Sequence, residues 1–515
     1  MNIKVIRNII IHVSGVFLLF FHCSVWALNW TTDYSLDVEE IFSDNINQTH
    51  SDKKSAFVTE INPGISVNGN AGVNKFDFNY RMQTLYNAGG DSGIDINNQM
   101  QMNNHYEFLD NKLFLDSNSS ISQQNVSNRR IASDNISGDE NTTTVSTFRL
   151  SPYWTPHFGG YADGEFRATY DRISTDGGSS ELSDTNTFSQ NINLTSNRQF
   201  SHISWSLAFN NSHQQNNDSE DVDFQNSLAV ISYALGRKFD IFTRVGHSNN
   251  SFSGDSGDNN NGVFYTFGAT WKPSQVLSVT GGLGNNSFIT VDLNPFKRLH
   301  WITTYTNNEI GLNTGGNGET WDTALNYRTR RSTWTISYNE QTMTTQQVLL
   351  EEQIFTVEDA FGDRDVNITD QFDSRLPSLT DEVFISKRAS LSVSYRTGKS
   401  DLSANIYRIK RDYEQGDNDD KVTGVSASWN WLCTKRTDLF LRSSWQKTES
   451  SGIDSFSDEL LNVSLRATRR IASRLIGKSA RFNGYIEYQY IDQSSDDSFN
   501  SYSENRFTAG LTLQF

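Results

Sequence analysis

Apolar and polar residues alternate one by one along most of this chain, in segments of about ten residues, the length of a tilted membrane-spanning strand. In the last segment the odd positions from Phe507 to Phe515 are apolar or small, and most even positions are polar. Because successive side chains of a strand point to opposite faces, such a segment has one lipid face and one lumen face. We expect this C-terminal strand to be the barrel-insertion strand, which the barrel-assembly machinery binds. Its lipid face is formed by Phe507, Leu511, Leu513 and Phe515.

The connections between these segments alternate in length. Short turns are predicted at Gly236-Arg237, Arg330-Arg331 and Thr397-Gly398-Lys399, and long polar loops at Gln341–Asp381 and Asp492–Ser501. Bacterial barrels have short periplasmic turns and long extracellular loops. The rhythm therefore predicts an all-β, transmembrane, antiparallel up-and-down β-barrel of about 22 strands, within a range of about 18 to 24 and with an even number.

The first residues are typical of a signal peptide. Lys4 and Arg7 precede an apolar run from Ile9 to Phe21, and Val25-Trp26-Ala27 fits the small-residue pattern of a cleavage site. We expect residues 1–27 to be removed and residues 28–515 to form one outer-membrane barrel of a Gram-negative bacterium. The pattern does not decide whether the segment around Tyr34–Ile46 is a strand or a periplasmic tail.

Composition supports a membrane barrel over a soluble protein. The chain is 36% apolar with mean hydropathy −0.57, yet 12% aromatic. A disordered chain would have few aromatic residues, whereas a barrel wall combines an apolar outer face with a polar lumen. The formal net charge of −17 argues against nucleic acid as a partner. Beyond the signal peptide only Cys433 remains, so an internal disulfide is excluded.

Two short elements near the mature N-terminus carry a family resemblance. The first is Ser43-Asp44-Asn45-Ile46. The second, about a dozen residues later, is Thr59 followed by Pro63-Gly64-Ile65-Ser66. Together with the Arg-rich turn in Tyr327–Trp334, they resemble the outer-membrane β-barrel proteins associated with the PEP-CTERM/exosortase system. The resemblance implies an outer-membrane protein in an exopolysaccharide and protein-sorting context, without catalytic residues. Taken alone, Pro63-Gly64 also fits a simple bend in a strand.

No enzyme motif is present in the sequence. It lacks a Gly-x-Ser-x-Gly elbow, a His-Glu-x-x-His pair and a P-loop, so we expect no enzyme activity, cofactor or catalytic residue. His202, His213 and His247 fall in neighbouring predicted strands, but independent positions are the simpler interpretation. Acidic loops such as Asp417-Asp419-Asp420 offer oxygen ligands for calcium without EF-hand spacing, so no metal site is predicted.

One stretch of the longest loop has a helical rather than a strand period. Leu350, Ile354, Val357 and Phe361 recur at intervals of four, three and four residues, which places them on one face of a short helix. A row of apolar side chains in an extracellular loop is stable only when other residues pack against it and exclude water. We therefore expect this candidate constriction loop to fold into the barrel mouth, the alternative being packing against neighbouring loops.

Two functions remain open from the sequence. The first is a porin-like conduit that passes solutes or exports an exopolysaccharide. The second is a non-conducting outer-membrane anchor or assembly protein for surface matrix. Basic residues at the predicted periplasmic ends would meet outer-membrane lipid headgroups or an anionic polymer: Arg328, Arg330, Arg331, Lys435, Arg436, Arg469, Arg470, Arg474 and Lys478.

Overall fold

The computed structural model describes residues 29–515 apart from 90–92, 130, 138–140, 177–183, 198, 201, 218, 252–260, 309–317, 352–375, 415–418, 453–454 and 472–480. The predicted signal peptide therefore lies outside the described residues. No helix in the described part of the chain is long and apolar enough to cross a membrane.

The described strands form one closed antiparallel sheet, and their bounds are as follows. They are β1 Asn29–Ser43, β2 Ala56–Ala71, β3 Asn74–Asn87, β4 Ile94–Leu109, β5 Leu113–Asn125, β6 Thr142–Trp154, β7 His157–Phe158, β8 Ala162–Asp176, β9 Thr185–Ser196, β10 Ile203–Asn216, β11 Val222–Ala234, β12 Phe239–Ser251, β13 Gly262–Ser274, β14 Leu277–Gly284, β15 Asn286–Phe296, β16 Leu299–Asn308, β17 Glu319–Arg328, β18 Ser332–Thr344, β19 Val383–Arg396, β20 Ser400–Tyr413, β21 Asp420–Thr434, β22 Thr437–Ser450, β23 Phe456–Ile471, β24 Arg481–Ser495 and β25 Tyr502–Gln514. One α-helix, α1 Thr345–Glu351, and a 3₁₀ turn at Ser498–Asn500 complete the described elements.

The sheet closes because β1 pairs with β25, from Ser35 opposite Gln514 to Ser43 opposite Arg506. The segment Tyr34–Ser43 is thus part of a wall strand and not a tail, and Asp44–Ile46 follow in the loop after β1. Strands β6 and β7 both pair with β8, so β7 continues β6 beyond Pro156, and the described wall has 24 strands. This confirms the predicted barrel, with a strand number at the top of the expected range.

Side chains alternate across the wall as the sequence predicts. On β25, Phe507 is 55% exposed on the outer surface, whereas Arg506 is 1% exposed inside the barrel. The C-terminus lies at the end with the short turns, where the Phe515 ring stacks on Tyr34. Since short turns are periplasmic in bacterial barrels, the opposite end, with the long loops, is extracellular.

A row of outward charges marks the extracellular edge of the apolar outer surface. Glu340, Lys387, Lys410, Lys421 and Glu449 stand side by side on β18 to β22. Below them on the same strands the outward residues are large, apolar and exposed: Ile336, Ile406, Val425 and Leu441. A charge at the bilayer midplane costs about 2–4 kcal/mol, so this row lies at the level of the lipid headgroups.

Pro63-Gly64 lies within β2. Pro63 faces Leu36 of β1, while the pairing of β2 with β3 is interrupted between Ile61 and Gly64. Proline has no N–H to donate to a sheet ladder. The local structure is therefore the strand irregularity that the proline imposes.

Glycines on the lumen side accept aromatic rings from the neighbouring strand. An added Cβ at Gly510 would lie 2.4 Å from the Tyr485 ring of β24, and one at Gly424 would lie 2.4 Å from the Tyr407 ring of β20. Three further ring–glycine pairs follow on β12 to β15: Phe264–Gly246, Phe242–Gly268 and Phe288–Gly282. Each ring therefore packs directly against the glycine backbone of the neighbouring strand.

Candidate functional site: the lumen and its narrowed mouth

The loop between β5 and β6 folds back into the barrel. We call its described residues 126–129 and 131–137 the inner loop. Asn135 Nδ2 donates to Gln83 Oε1 of β3 at 2.7 Å, and Ser137 Oγ donates to Glu504 Oε1 of β25 at 2.9 Å. Ile136 packs on buried apolar residues at the extracellular ends of β1 to β3. The inner loop is therefore part of the lumen and not an exposed surface loop.

A buried ion-pair network holds the inner loop to the wall. Arg506 Nη1 donates to Asp134 Oδ2 at 2.6 Å, and Arg506 Nε donates to Glu504 Oε1 at 2.6 Å. Glu504 also accepts hydrogen bonds from the Ser43 and Ser137 hydroxyls, both to Oε1. Arg506, Glu504 and Asp134 are all buried. A buried charge is tolerated only when its partners satisfy it, so each member of this network fixes the others.

The inner loop also reaches strands on the far side of the barrel. Asn128 Nδ2 donates to Asp420 Oδ2 of β21 at 3.0 Å, and this carboxylate is itself paired with Arg411 of β20 at 3.0 Å. Closer to the surface, Arg129 Nη2 lies 3.3 Å from Asp497 Oδ2, between β24 and β25. The inner loop thus links β5 and β6 to β21 across the lumen.

The loop between β18 and β19 crosses the mouth as well. We call its described residues 345–351 and 376–382 the mouth loop. Gln346 Nε2 donates to Thr185 Oγ1 of β9 at 3.4 Å, and Thr344 Oγ1, at the end of β18, donates to Gln214 Oε1 of β10 at 3.1 Å. The two loops meet where Leu379 N donates to Val126 O at 2.8 Å.

A cluster of buried apolar side chains packs where the mouth loop crosses the lumen. Phe384 of β19 and Met343 of β18 join Val145 of β6 and Ile173 of β8 through mouth-loop side chains, which are Val348, Leu349, Leu376 and Leu379. Around the barrel, the pair β6 and β8 is separated from the pair β18 and β19 by β9–β17 on one side. On the other side the two pairs are separated by β20–β25 and β1–β5. The extracellular mouth is therefore narrowed by contacts between opposite walls.

The predicted constriction residues fall only partly within the described chain. Leu350 lies in α1 and packs against the apolar cluster. Ile354, Val357 and Phe361 lie outside the described residues, so the predicted helical face as a whole stays a prediction. The described helix begins at Thr345, five residues before Leu350, and β18 extends through Thr344, where the sequence predicted a loop from Gln341.

Nearer the periplasmic end, one side of the lumen bears a charged groove of about 570 Å³ on β3 to β9. Arg149 Nε donates to Asp171 Oδ1 at 2.6 Å, and Arg167 Nη1 donates to Asp116 Oδ2 at 2.9 Å. His105 Nδ1 also lies 2.6 Å from Asp116. These pairs cancel most of the local charge while leaving polar groups towards water.

The opposite part of the wall is lined by hydroxyls. A second groove of about 370 Å³ on β18 to β22 is bounded mainly by short polar side chains, which are Thr333, Thr335, Ser392, Ser394, Ser403, Asn405, Ser426 and Ser428. Hydroxyl pairs bridge neighbouring strands, such as Ser337–Ser390 at 2.7 Å and Ser403–Ser428 at 2.6 Å. Small side chains leave space, and their hydroxyls both donate and accept hydrogen bonds.

The histidines do not form one site. His202 lies at the periplasmic end beside the Tyr233 ring, whereas His213 lies 2.7 Å from Asp223 near the extracellular end. No group of three or more potential metal ligands occurs among the described residues.

The predicted acidic cluster at Asp417–Asp420 is divided in the structure. Asp420 pairs with Arg411 inside the barrel, and Asp419 lies near Lys410 in the extracellular loop. Burial, reinforced by the nearby Asp412 carboxylate, raises the pKa of Asp419 despite the opposing effect of Lys410. Asp417 lies outside the described residues.

The basic residues at the short turns lie at the periplasmic ends of their strands, as the sequence predicts, except Arg474 and Lys478, which lie outside the described residues. The sequence could not reveal the Arg506–Asp134 pair, because its two residues are 372 positions apart. An arginine at an inward position of the last strand was the only available signal.

Several solved barrels resemble this fold. The FrpB iron transporter from Neisseria meningitidis (F3-3 variant) is 11% identical over 94% of this chain and 81% of its own, with a TM-score of 0.44. The siderophore receptor PirA from Pseudomonas aeruginosa is 8% identical over 94% and 80%, with a TM-score of 0.42. Pseudomonas aeruginosa OccK8 (OprE) is 9% identical over 95% and 98%, with a TM-score of 0.29.

No protein-family model and no curated protein matches the chain. At these identities and TM-scores the solved structures carry no argument about what this barrel binds or passes.

Proposed function

We propose that this protein is an outer-membrane conduit for polar, hydroxyl-rich solutes, with an extracellular mouth narrowed by its own loops. The observation that carries the proposal is the contrast along the lumen. The extracellular end is packed by the inner and mouth loops, whereas the periplasmic half keeps two grooves bordered by polar side chains. A lumen packed throughout by side chains would favour a purely structural barrel, and the two polar grooves do not fit that arrangement.

The chemistry of the lumen supports a polyhydroxylated solute. Serine and threonine hydroxyls on β18 to β22 can exchange hydrogen bonds with water or with a sugar at little cost, since each is both donor and acceptor. Five lumen rings pack closely against glycines of neighbouring strands, where a larger residue would push the ring further into the lumen. Together with the resemblance of the Ser43–Ile46 and Thr59–Ser66 elements, this favours export of an exopolysaccharide in an exosortase-linked system.

One observation favours the alternative of a closed anchor. The apolar cluster and the Asn128–Asp420 bond connect opposite walls, so the narrowing at the mouth is supported from both sides. If the loops never open, the long extracellular side would serve only as a docking surface for surface matrix.

Solute uptake into liposomes separates the two functions. Proteoliposomes that carry the refolded mature chain are placed in isotonic solutions of neutral saccharides from one to six rings, and swelling is followed by light scattering. A conduit gives swelling that falls with saccharide length. Folded barrels, shown by heat-modifiable gel mobility, that give no swelling even with a monosaccharide would support the closed anchor instead.

A further inference from the structure

Arg244 occupies an unusual position on the lumen face of β12. Its guanidinium carbon lies 4.1 Å from the centre of the Phe288 ring and 5.2 Å from that of Phe242. The side chain is partly buried, and its Nε atom is buried without a hydrogen-bond partner among the described residues. The guanidinium cation therefore packs against two aromatic rings and is partly shielded from water.

The residues beside Arg244 offer it no charge of opposite sign. Its register partners are Val230 on β11 and Thr266 on β13. The acids on nearby inward positions are already engaged, since Asp240 is paired with Lys272 at 2.8 Å and Asp292 with His300 at 3.3 Å.

Five other lumen arginines are paired with carboxylates. Arg149, Arg167, Arg411, Arg466 and Arg506 each contact a carboxylate at 3.0 Å or less. Arg244 has no carboxylate partner in the described part of the chain. A partly desolvated arginine without a counter-charge costs free energy that folding does not recover.

We propose that Arg244, seated on Phe242 and Phe288, is a lumen site for the anionic group of a passing solute, a carboxylate or a phosphate. This inference rests on the proposed conduit function, because it assumes that solutes reach the lumen. The planar guanidinium offers donors in a fork that matches such oxyanions. The rings hold that fork in place by cation–π contact, which limits the entropy lost on binding.

The site adds selectivity for anions to a lumen wall whose other named arginines, such as Arg149 and Arg167, are already paired with carboxylates. Hydroxyls on β18 to β22 accept sugars irrespective of charge, whereas Arg244 distinguishes a uronic acid residue from its neutral ester. An acidic polysaccharide and a small free anion share this chemistry, so the test has to separate the two sources.

Equilibrium binding to the full mature barrel in detergent tests the site without any requirement for conductance. Isothermal titration calorimetry is run with trigalacturonate, with its neutral methyl ester and with inorganic phosphate. The variants are Arg244→Gln, Arg244→Lys, and Arg408→Gln as matched control, since Arg408 is an exposed arginine on the outward face of β20. Heat-modifiable mobility establishes that each variant is folded.

We expect trigalacturonate to bind the wild type and R408Q equally and R244Q about tenfold more weakly, the loss of one charge-assisted hydrogen bond. R244K should retain part of the affinity. Binding of phosphate with the same dependence on Arg244 would support the site and assign it to small anions.

Equal binding of trigalacturonate by R244Q and wild type, equal binding of the neutral ester, or no binding of either anion by the wild type would overturn the proposal. A barrel that binds trigalacturonate through Arg244 but gives no saccharide swelling would contradict the conduit alone.

Discussion

Arg506 on the last strand donates a hydrogen bond from Nη1 to Asp134 Oδ2 on the inner loop at 2.6 Å, inside the barrel and out of reach of water. The same arginine is held by Glu504. The wall thus provides a charged, pre-oriented anchor for the loop that narrows the mouth, and the two partners can be perturbed separately.

Asp134→Asn should loosen the inner loop without unfolding the barrel. The variant removes the charge that binds the loop, but Arg506 keeps Glu504 as a partner. Arg506→Gln, in contrast, leaves two buried carboxylates without their cation and should lower the free energy of unfolding by about 3–5 kcal/mol. Urea unfolding followed by tryptophan fluorescence compares them. Equal stability of both variants with wild type would contradict the assigned role of the network.

The glycines against which the lumen rings pack should not tolerate substitution by alanine, which adds a single methyl group. Gly510→Ala would place a Cβ 2.4 Å from the Tyr485 ring, and such overpacking typically costs about 1–3 kcal/mol. Gly281→Ala is the control, because the nearest atom to its added Cβ, the Phe288 carbonyl oxygen, would be 4.0 Å away. We expect a lower urea midpoint only for G510A, and equal midpoints would show that the rings are free to move.

Two positions on β20 test which face meets lipid. Ile406 is 48% exposed on the outer surface, near the middle of β20. Ile406→Arg places a charge in the lipid and should therefore lower the free energy of unfolding by about 2–4 kcal/mol. Ser403 faces the lumen on the same strand, so Ser403→Arg should fold almost as well as wild type. Folding yield into liposomes, read from gel mobility, compares the pair. A reversed order would invert the assignment of faces.

Removal of the predicted constriction loop should open the mouth. Deletion of Leu350–Phe361 takes away the end of α1 and the residues that follow it, while Thr344, Leu376 and Leu379 stay in place to keep the wall intact. We expect a higher unit conductance than wild type in planar bilayers, because the apolar cluster across the mouth loses Leu350, which packs against it. Unchanged conductance in a folded variant would show that this stretch does not narrow the path.

The wall was predictable from the sequence because each of its strands carries its own local signal. Alternation at Phe507–Phe515 identifies a membrane strand without knowledge of its partners, and the short turns fix antiparallel order. The mouth was less predictable, since the inner loop contains no apolar period and is held by partners as distant in sequence as Asn128 and Asp420. The apolar stripe at Leu350 correctly drew attention to the mouth loop, yet the helix starts earlier, at Thr345, where the signal is polar.

The single-channel conductance of the refolded mature protein in a planar bilayer tests the central claim most directly. It is recorded with and without a candidate exopolysaccharide on the periplasmic side, and with Asp134→Asn beside the wild type. The account predicts a current through the wild type that the polymer blocks, and a larger or more frequent open level in D134N. A folded barrel that stays silent in both forms would contradict the conduit and would leave a closed anchor as the function of the barrel.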